Sequence, residues 1–241
     1  MNQAEIFTTP IQWLPHDWLW SNFQQAFTLV PFASYFRNSA LLAALNIVGT
    51  VASSSFIAFG FARIEFWGRR VLFAVVISTL MLPSVVTLIP TFVIWHAIGG
   101  VNTYYPLVIP AFFGNAFFIF MLRQFYMGIP RDYDEAAFID GANYLRIYWN
   151  IILPLSRPAL VTVALFTFLS VWNDFLTPLI YLSNPDMYTV ALGLQAFQGQ
   201  YNTQWNLVMA ASAVAILPMI LAFFVGQKSF IQGATLTGIK G

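Results

Sequence analysis

An all-α, polytopic membrane bundle is the fold class that the sequence predicts, and three observations predict it. Of 241 residues, 59% are hydrophobic and only 8% are charged, whereas a soluble domain carries about 25% charged residues. The apolar runs are continuous, with a mean hydropathy of +0.72, which suits helical spans and not the alternating pieces of about ten residues in a transmembrane barrel. The basic residues are also distributed asymmetrically, as counted below.

Met1 to Arg37 contains no span. It is rich in Trp13, Trp18, Trp20, Phe23 and Phe27, residue types that favour a membrane–water interface. No basic stretch followed by an apolar run marks a cleavable signal. A short surface helix is predicted over Phe23 to Phe36.

The first span is Asn38 to Ala62, free of charge and bounded by Arg37 and Arg63. Its Gly49, Ala52, Ser53, Ser54 and Ser55 permit close helix approach in lipid. Arg63 to Arg70 is a short basic loop. Val71 to Leu122 is again free of charge and too long for one span of about 20 residues. The break His96 to Thr103 divides it into Val71–Trp95, kinked by Pro83 and Pro90, and Pro106 to about Phe125, which holds Pro110, Gly114 and Asn115. A fourth span covers Pro158–Leu182. After a polar loop from Ser183 to Asn206, with Gly199, Tyr201 and Asn202, a fifth runs from Leu207 to Phe230.

Five spans put Arg37 on one side and the other nine Lys and Arg residues opposite. The positive-inside rule makes that second side cytoplasmic. The amino terminus is then outside and the carboxyl terminus inside. The expected organisation is an external segment (1–37), a transmembrane domain (38–230) with a cytoplasmic loop at 126–157, and a cytoplasmic tail (231–241).

That loop is the long polar island of the chain. Arg123, Arg131, Asp132, Asp134, Glu135, Asp140, Arg146 and Arg157 lie in or beside it. Pro130 and the acids after it suit a helix start, and Gly141 suits a stop. Asn143 can cap a second helix that Leu153-Pro154 ends. Two capped helices outside the bilayer point to a docking element more than to a passive connector.

Charge and composition exclude several classes. A formal net charge of +1 points to no nucleic acid, and the absence of cysteine excludes disulfides and thiolate metal sites. His16 and His96 stand in no metal-binding spacing. No nucleophile–base constellation and no G-x-x-x-x-G-K-[ST] loop is present. Neither a catalytic residue nor a cofactor is expected.

Asp174 is the acid placed within a span, beside Trp172 and Asn173. Intramembrane charge suggests function, so these residues either face a translocation path or tie helices together. Asn115 is a weaker path candidate, and like Asn46 it reads as interhelical glue.

The island resembles the cytoplasmic-loop signature of ABC importer permeases: E-A-A at 135–137, Gly141, then Ile151-x-Leu153-Pro154. The form D-x-x-E-A-A-x-I-D-G-A followed by L-P-L-S-R-P resembles the carbohydrate-uptake, maltose-permease-like branch. F-x-x-Y-F-x-N-S at 32–39, Gly100-Val-Asn-Thr-Tyr, Trp172-Asn-Asp-Phe and the terminal Thr-Gly-x-Lys-Gly agree with it. The resemblance implies a sugar importer working by alternating access. Its partners would be a second homologous permease, a cytoplasmic ATPase dimer and an extracytoplasmic sugar-binding protein, in an inner or plasma membrane. Glu135, Ala136, Ala137, Asp140 and Gly141 would couple it to the ATPase. Such permeases usually have six spans, so the resemblance also implies a first span absent from this sequence through truncation, a misassigned start or a five-span design. The competing reading is a self-sufficient secondary transporter or channel, which would call for paired intramembrane ionisable groups or an internal repeat.

Overall fold

The computed structural model describes residues 17–198 and 203–236, with side chains through Gln227. His16, Gly199, Tyr201, Asn202 and the Thr-Gly-x-Lys-Gly tail lie outside the described residues. No β-strand occurs among the described residues, only a single bridge between Gln198 and Thr203.

A short helix α1 (Ser21–Leu29) precedes α2 (Phe32–Arg63), a 32-residue helix on which the rest is assembled. α2 starts ahead of the charge boundary at Arg37. That side chain is exposed, and a long basic side chain near a helix end can keep its head in water. Beyond a basic turn come α3 (Arg69–Ser78), extended by a 3-10 turn to Met81, and α4 (Ser84–Ala97). Next is a helix broken in its middle. It comprises α5 (Tyr105–Val108), a 3-10 stretch Ile109–Phe113, and α6 (Ala116–Gly128). The polar island forms α7 (Asp132–Ile139) and α8 (Tyr144–Leu155). Then follow α9 (Arg157–Asn173), α10 (Leu176–Tyr181), α11 (Val190–Gly193), α12 (Trp205–Ala215) and α13 (Leu217–Leu236).

Among the described residues three helices are long and apolar enough to cross a membrane: Phe32–Arg63, Tyr105–Gly128 and Trp205–Gln227. The number rises to five if each of two bent pairs counts as one span. Two breaks, one of them inside the first of these pairs, correct the expected spans. The second expected span turns by 100° between Met81 and Ser84, because Leu82 and Pro83 are both extended. A residue before proline avoids the α region, and Pro83 then starts a new helix. The fourth expected span stops at Asn173, and Asp174 is extended. An unbroken helix would set the Pro178 ring against the Asp174 carbonyl and leave that carbonyl unbonded. The break instead puts Pro178 in the first turn of α10. A third correction concerns Pro154, which was expected to end the second loop helix. The chain accommodates it by widening into a π turn over Tyr148–Ile152, where the Leu153 N–H reaches the Tyr148 carbonyl, and α8 runs on to Leu155. It meets α9 at 77°.

α2 packs on α6 and on α9, and α13 lies on α9. Two apolar cores result. One gathers Phe59, Ala62, Leu122, Tyr126, Ala137, Ile147, Ile152 and Val163 at the Arg63 end of α2. The other gathers Ala26, Phe32, Tyr35, Trp172, Val190, Leu207 and Ala211 at the Phe32 end.

Between the cores, α2 faces the broken helix. Gly114 has φ +89 and cannot continue a helix. The backbone groups freed around the break have partners on α2. Asn46 Nδ2 donates to the Leu107 carbonyl at 2.9 Å, Ser53 Oγ donates to the Ala111 carbonyl at 2.9 Å, and Ser54 Oγ accepts from the Asn115 N–H at 3.0 Å. These three lie on one helical face with Gly49. There a Cβ would stand 2.8 Å from the Phe112 ring and 3.2 Å from the Ala111 carbonyl carbon. Irregular backbone at membrane depth needs such internal satisfaction.

Candidate functional site

Two regions hold the residues singled out from the sequence. The first is the α7–α8 island. Asp132, Asp134 and Glu135 fill the first turn of α7, where the helix dipole favours anions. The helix ends in a Schellman motif. The Gly141 N–H donates to the Phe138 carbonyl at 3.0 Å, and the Ala142 N–H to the Ala137 carbonyl at 2.9 Å. Gly141 sits at φ +77, the left-handed geometry this motif requires. Asn143 Oδ1 accepts from the Arg146 N–H at 2.9 Å, which is the expected cap.

α7 has two sides. Asp134 and Ala137 are buried, while Glu135, Ala136, Asp140 and Gly141 are exposed. Ile139 is 87% exposed, an unusual place for an isoleucine unless lipid or protein covers it. A cleft of about 550 Å³ runs beside this helix, lined in part by Tyr133, Ala136, Asp140 and Ile151.

Asp134 was not among the expected site residues. Its Oδ2 lies 3.1 Å from Arg63 Nη1, and both side chains are almost fully buried. Arg63 Nη2 also donates to the Ile129 carbonyl at 2.9 Å. Arg63 Nε and Asp134 Oδ1 have no hydrogen-bond partner. Burial pushes the Asp134 carboxyl up, and the Arg63 guanidinium, then Arg131, opposes that. The partners are 71 residues apart in sequence (134 minus 63), and no spacing signals such a pair.

The second region lies where α4 meets α10. A cavity of about 350 Å³ opens there, lined by Ser84, Thr87, Thr91 and Trp95 of α4 and by Asp174 and Tyr181. Asp174 Oδ1 accepts from the Thr177 N–H at 3.1 Å, capping α10. The other expected path residues lie elsewhere. Trp172 is buried in the Phe32-end core, donating from Nε1 to the Ala215 carbonyl at 3.0 Å and stacking on Phe168. Asn173 is exposed and turns its amide back to the Leu169 carbonyl at 2.7 Å. Asn115 caps α6, its Oδ1 accepting from the Phe117 and Phe118 N–H groups. His96 stacks on Phe92. The α4 residues of the cavity recur at intervals of three to four, a one-faced helical pattern without an ionisable group to mark it in the sequence.

Residues 51–234 match the family described as "Binding-protein-dependent transport system inner membrane component". The sulfoquinovosyl glycerol transport system permease protein SmoH of Agrobacterium fabrum is 31% identical, over 99% of this chain and 84% of its own length. The trehalose/maltose transport system permease protein MalG of Thermococcus litoralis is 34% identical, over 87% of this chain and 76% of its own. The arabinooligosaccharides transport system permease protein AraQ of Bacillus subtilis is 33% identical, over 87% and 74%. Among solved structures, a chain of a bacterial ABC transporter that imports the acidic polysaccharide alginate superposes with a TM-score of 0.79 at 25% identity, covering 90% of this chain and 81% of that one. With the family match covering residues 51–234 and the bundle superposing on an ABC importer, this chain belongs to the inner membrane components of binding-protein-dependent transport systems.

Proposed function

We propose that this chain is one permease subunit of an ATP-driven carbohydrate importer. A second homologous permease, a cytoplasmic ATPase dimer and an extracytoplasmic binding protein complete the assembly. Sugar cargo is supported by the relatives, whose names specify arabinooligosaccharides, trehalose and maltose, and sulfoquinovosyl glycerol. Family membership favours this reading over a self-sufficient secondary transporter or channel. The excess of basic residues on the island side makes that side cytoplasmic.

The observation that carries the coupling role is the two-sidedness of α7. One side is fixed to the bundle by a buried ion pair. The other presents Glu135, Ala136, Ile139, Asp140 and Gly141 outward. An ATPase that grips the outer side moves the membrane helices through the inner one. Glu135→Lys reverses an exposed charge without touching the Arg63 pair. In proteoliposomes of the assembled importer, this substitution is expected to abolish sugar uptake and weaken retention of the ATPase on purification, with membrane insertion intact. Unchanged uptake together with unchanged ATPase retention would sink the docking assignment.

A further inference from the structure

We infer that the cavity between α4 and α10 is where this permease touches its cargo, and that it selects a neutral, hydroxyl-rich saccharide over an acidic one. The inference rests on the carbohydrate reading above and narrows it.

The argument starts from protons. Thr87 Oγ1 donates to the Ser84 carbonyl at 3.0 Å, and Thr91 Oγ1 donates to the Thr87 carbonyl at 2.8 Å. Each hydroxyl has a single proton, so both face the cavity as acceptors. Tyr181 Oη points its proton at Thr91 Oγ1 from 3.5 Å, a length at which little bonding remains. Asp174 gives Oδ1 to the Thr177 N–H, and its Oδ2 has no partner among the described residues. Among the described residues, no lysine, arginine or histidine lines the cavity. The Thr87 and Thr91 hydroxyls therefore accept, Asp174 adds one negative charge, and the Trp95 Nε1–H with the Ser84 and Thr177 hydroxyls can donate, so the polar lining suits a ligand that is rich in hydroxyl groups. A carboxylated or sulfonated sugar would set its anion against Asp174 with no cation among the described lining residues, and like charges at short range repel.

Aromatic surface supplies the complementary apolar part. Trp95 lies against Gly100, where a Cβ would fall 2.6 Å from its Cε3, and the Gly100 N–H donates to the Trp95 carbonyl at 2.7 Å. The indole thus packs closely on the Gly100 backbone. Trp95 offers a flat face for the C–H side of a sugar ring. A volume of about 350 Å³ falls at the small end of ligand pockets and suits a short saccharide.

The test uses the full importer with its binding protein in proteoliposomes. Three mixtures of di- to tetrasaccharides are offered: neutral, uronate-containing and amino-sugar. The lumen is then read by mass spectrometry. The unsubstituted importer is expected to admit members of the neutral mixture and exclude the acidic one. Trp95→Ala is expected to lower neutral uptake about tenfold, and Trp95→Phe to restore most of it. Asp174→Asn keeps the acceptor for the Thr177 N–H and removes the charge, so it is expected to relax the exclusion of acidic sugars. Preferred uptake of the acidic or the amino-sugar mixture overturns this inference and leaves the carbohydrate reading standing. Neutral uptake unchanged in Trp95→Ala, or acidic sugars still excluded in Asp174→Asn, also overturns it. Entry of no saccharide from any mixture, in an importer whose ATPase is active, removes the carbohydrate reading and this inference with it.

Discussion

At its Arg63 end, α2 holds a neighbouring segment by charge; in its middle it holds one by neutral hydrogen bonds. Arg63 and Asp134 are buried together with one atom of each left unpartnered. Asn46, Ser53 and Ser54 meet the Leu107 carbonyl, the Ala111 carbonyl and the Asn115 N–H. The difference teaches what each contact is built for. A buried ion pair is a weak source of net stability, because desolvation offsets attraction, yet breaking one partner is costly. It therefore fixes geometry steeply. Neutral bonds to a broken backbone contribute modestly each and replace groups that would otherwise face lipid. The first arrangement suits a joint that bears load, the second a scaffold.

The sharpest way to break this contrast is Arg63→Ala. It leaves Asp134 buried without its cation, a loss of about 3–5 kcal/mol. We expect a large drop in detergent thermal stability and loss of coupling. Arg63→Met combined with Asp134→Leu should recover stability but not transport. Recovery of both would reduce the pair to packing. Ser54→Ala comes next. It removes the acceptor for the Asn115 N–H at the helix break, at a cost of about 1 kcal/mol. Uptake should persist at a slightly lowered melting temperature, and a collapse of uptake would move the break from scaffold to mechanism. The smallest effect belongs to Glu65→Gln. Glu65 and Arg131 are 3.6 Å apart with side chains 74% and 59% exposed, so water screens the pair and a change below about 0.5 kcal/mol is expected. A larger shift would show that exposed charge, as well as buried charge, fastens the island.

Local chemistry was legible in the sequence where a single residue decides a turn. Gly141 at a positive φ, Asn143 as a cap and Asn46 as interhelical glue each act within a few bonds of backbone. The bends at Pro83 and Asp174 were half legible. A proline announces that a helix is disturbed, but whether it kinks by a few degrees or turns by 100° depends on what the next helix can pack against. The Arg63–Asp134 pair was not legible at all. Arg63 read as the end of an apolar run and Asp134 as one of several acids near a helix start. Only the docking of α7 under α2 brings them together. Trp172 was misleading for a related reason, since a tryptophan next to an intramembrane acid suits a ligand face or a core equally. The Ala215 carbonyl, 43 residues away in sequence, placed it in the core.

The unbroken length of α2 has a mechanical consequence. Its 32 residues make a rod of about 48 Å, longer than the roughly 30 Å of hydrocarbon it crosses. The opposite end is also fastened. Asn38 Nδ2 donates to the Asp186 and Tyr188 carbonyls at 2.8 and 3.0 Å, and Ser39 Oγ accepts from the Val190 N–H at 2.8 Å. Such a rod is a lever with both handles attached. A tilt of about 5° about one end carries the other through about 4 Å, comparable to one turn of helix. A modest shift of α7 under Arg63 would thereby be carried to the other end of the rod, to the loop that holds Asp186.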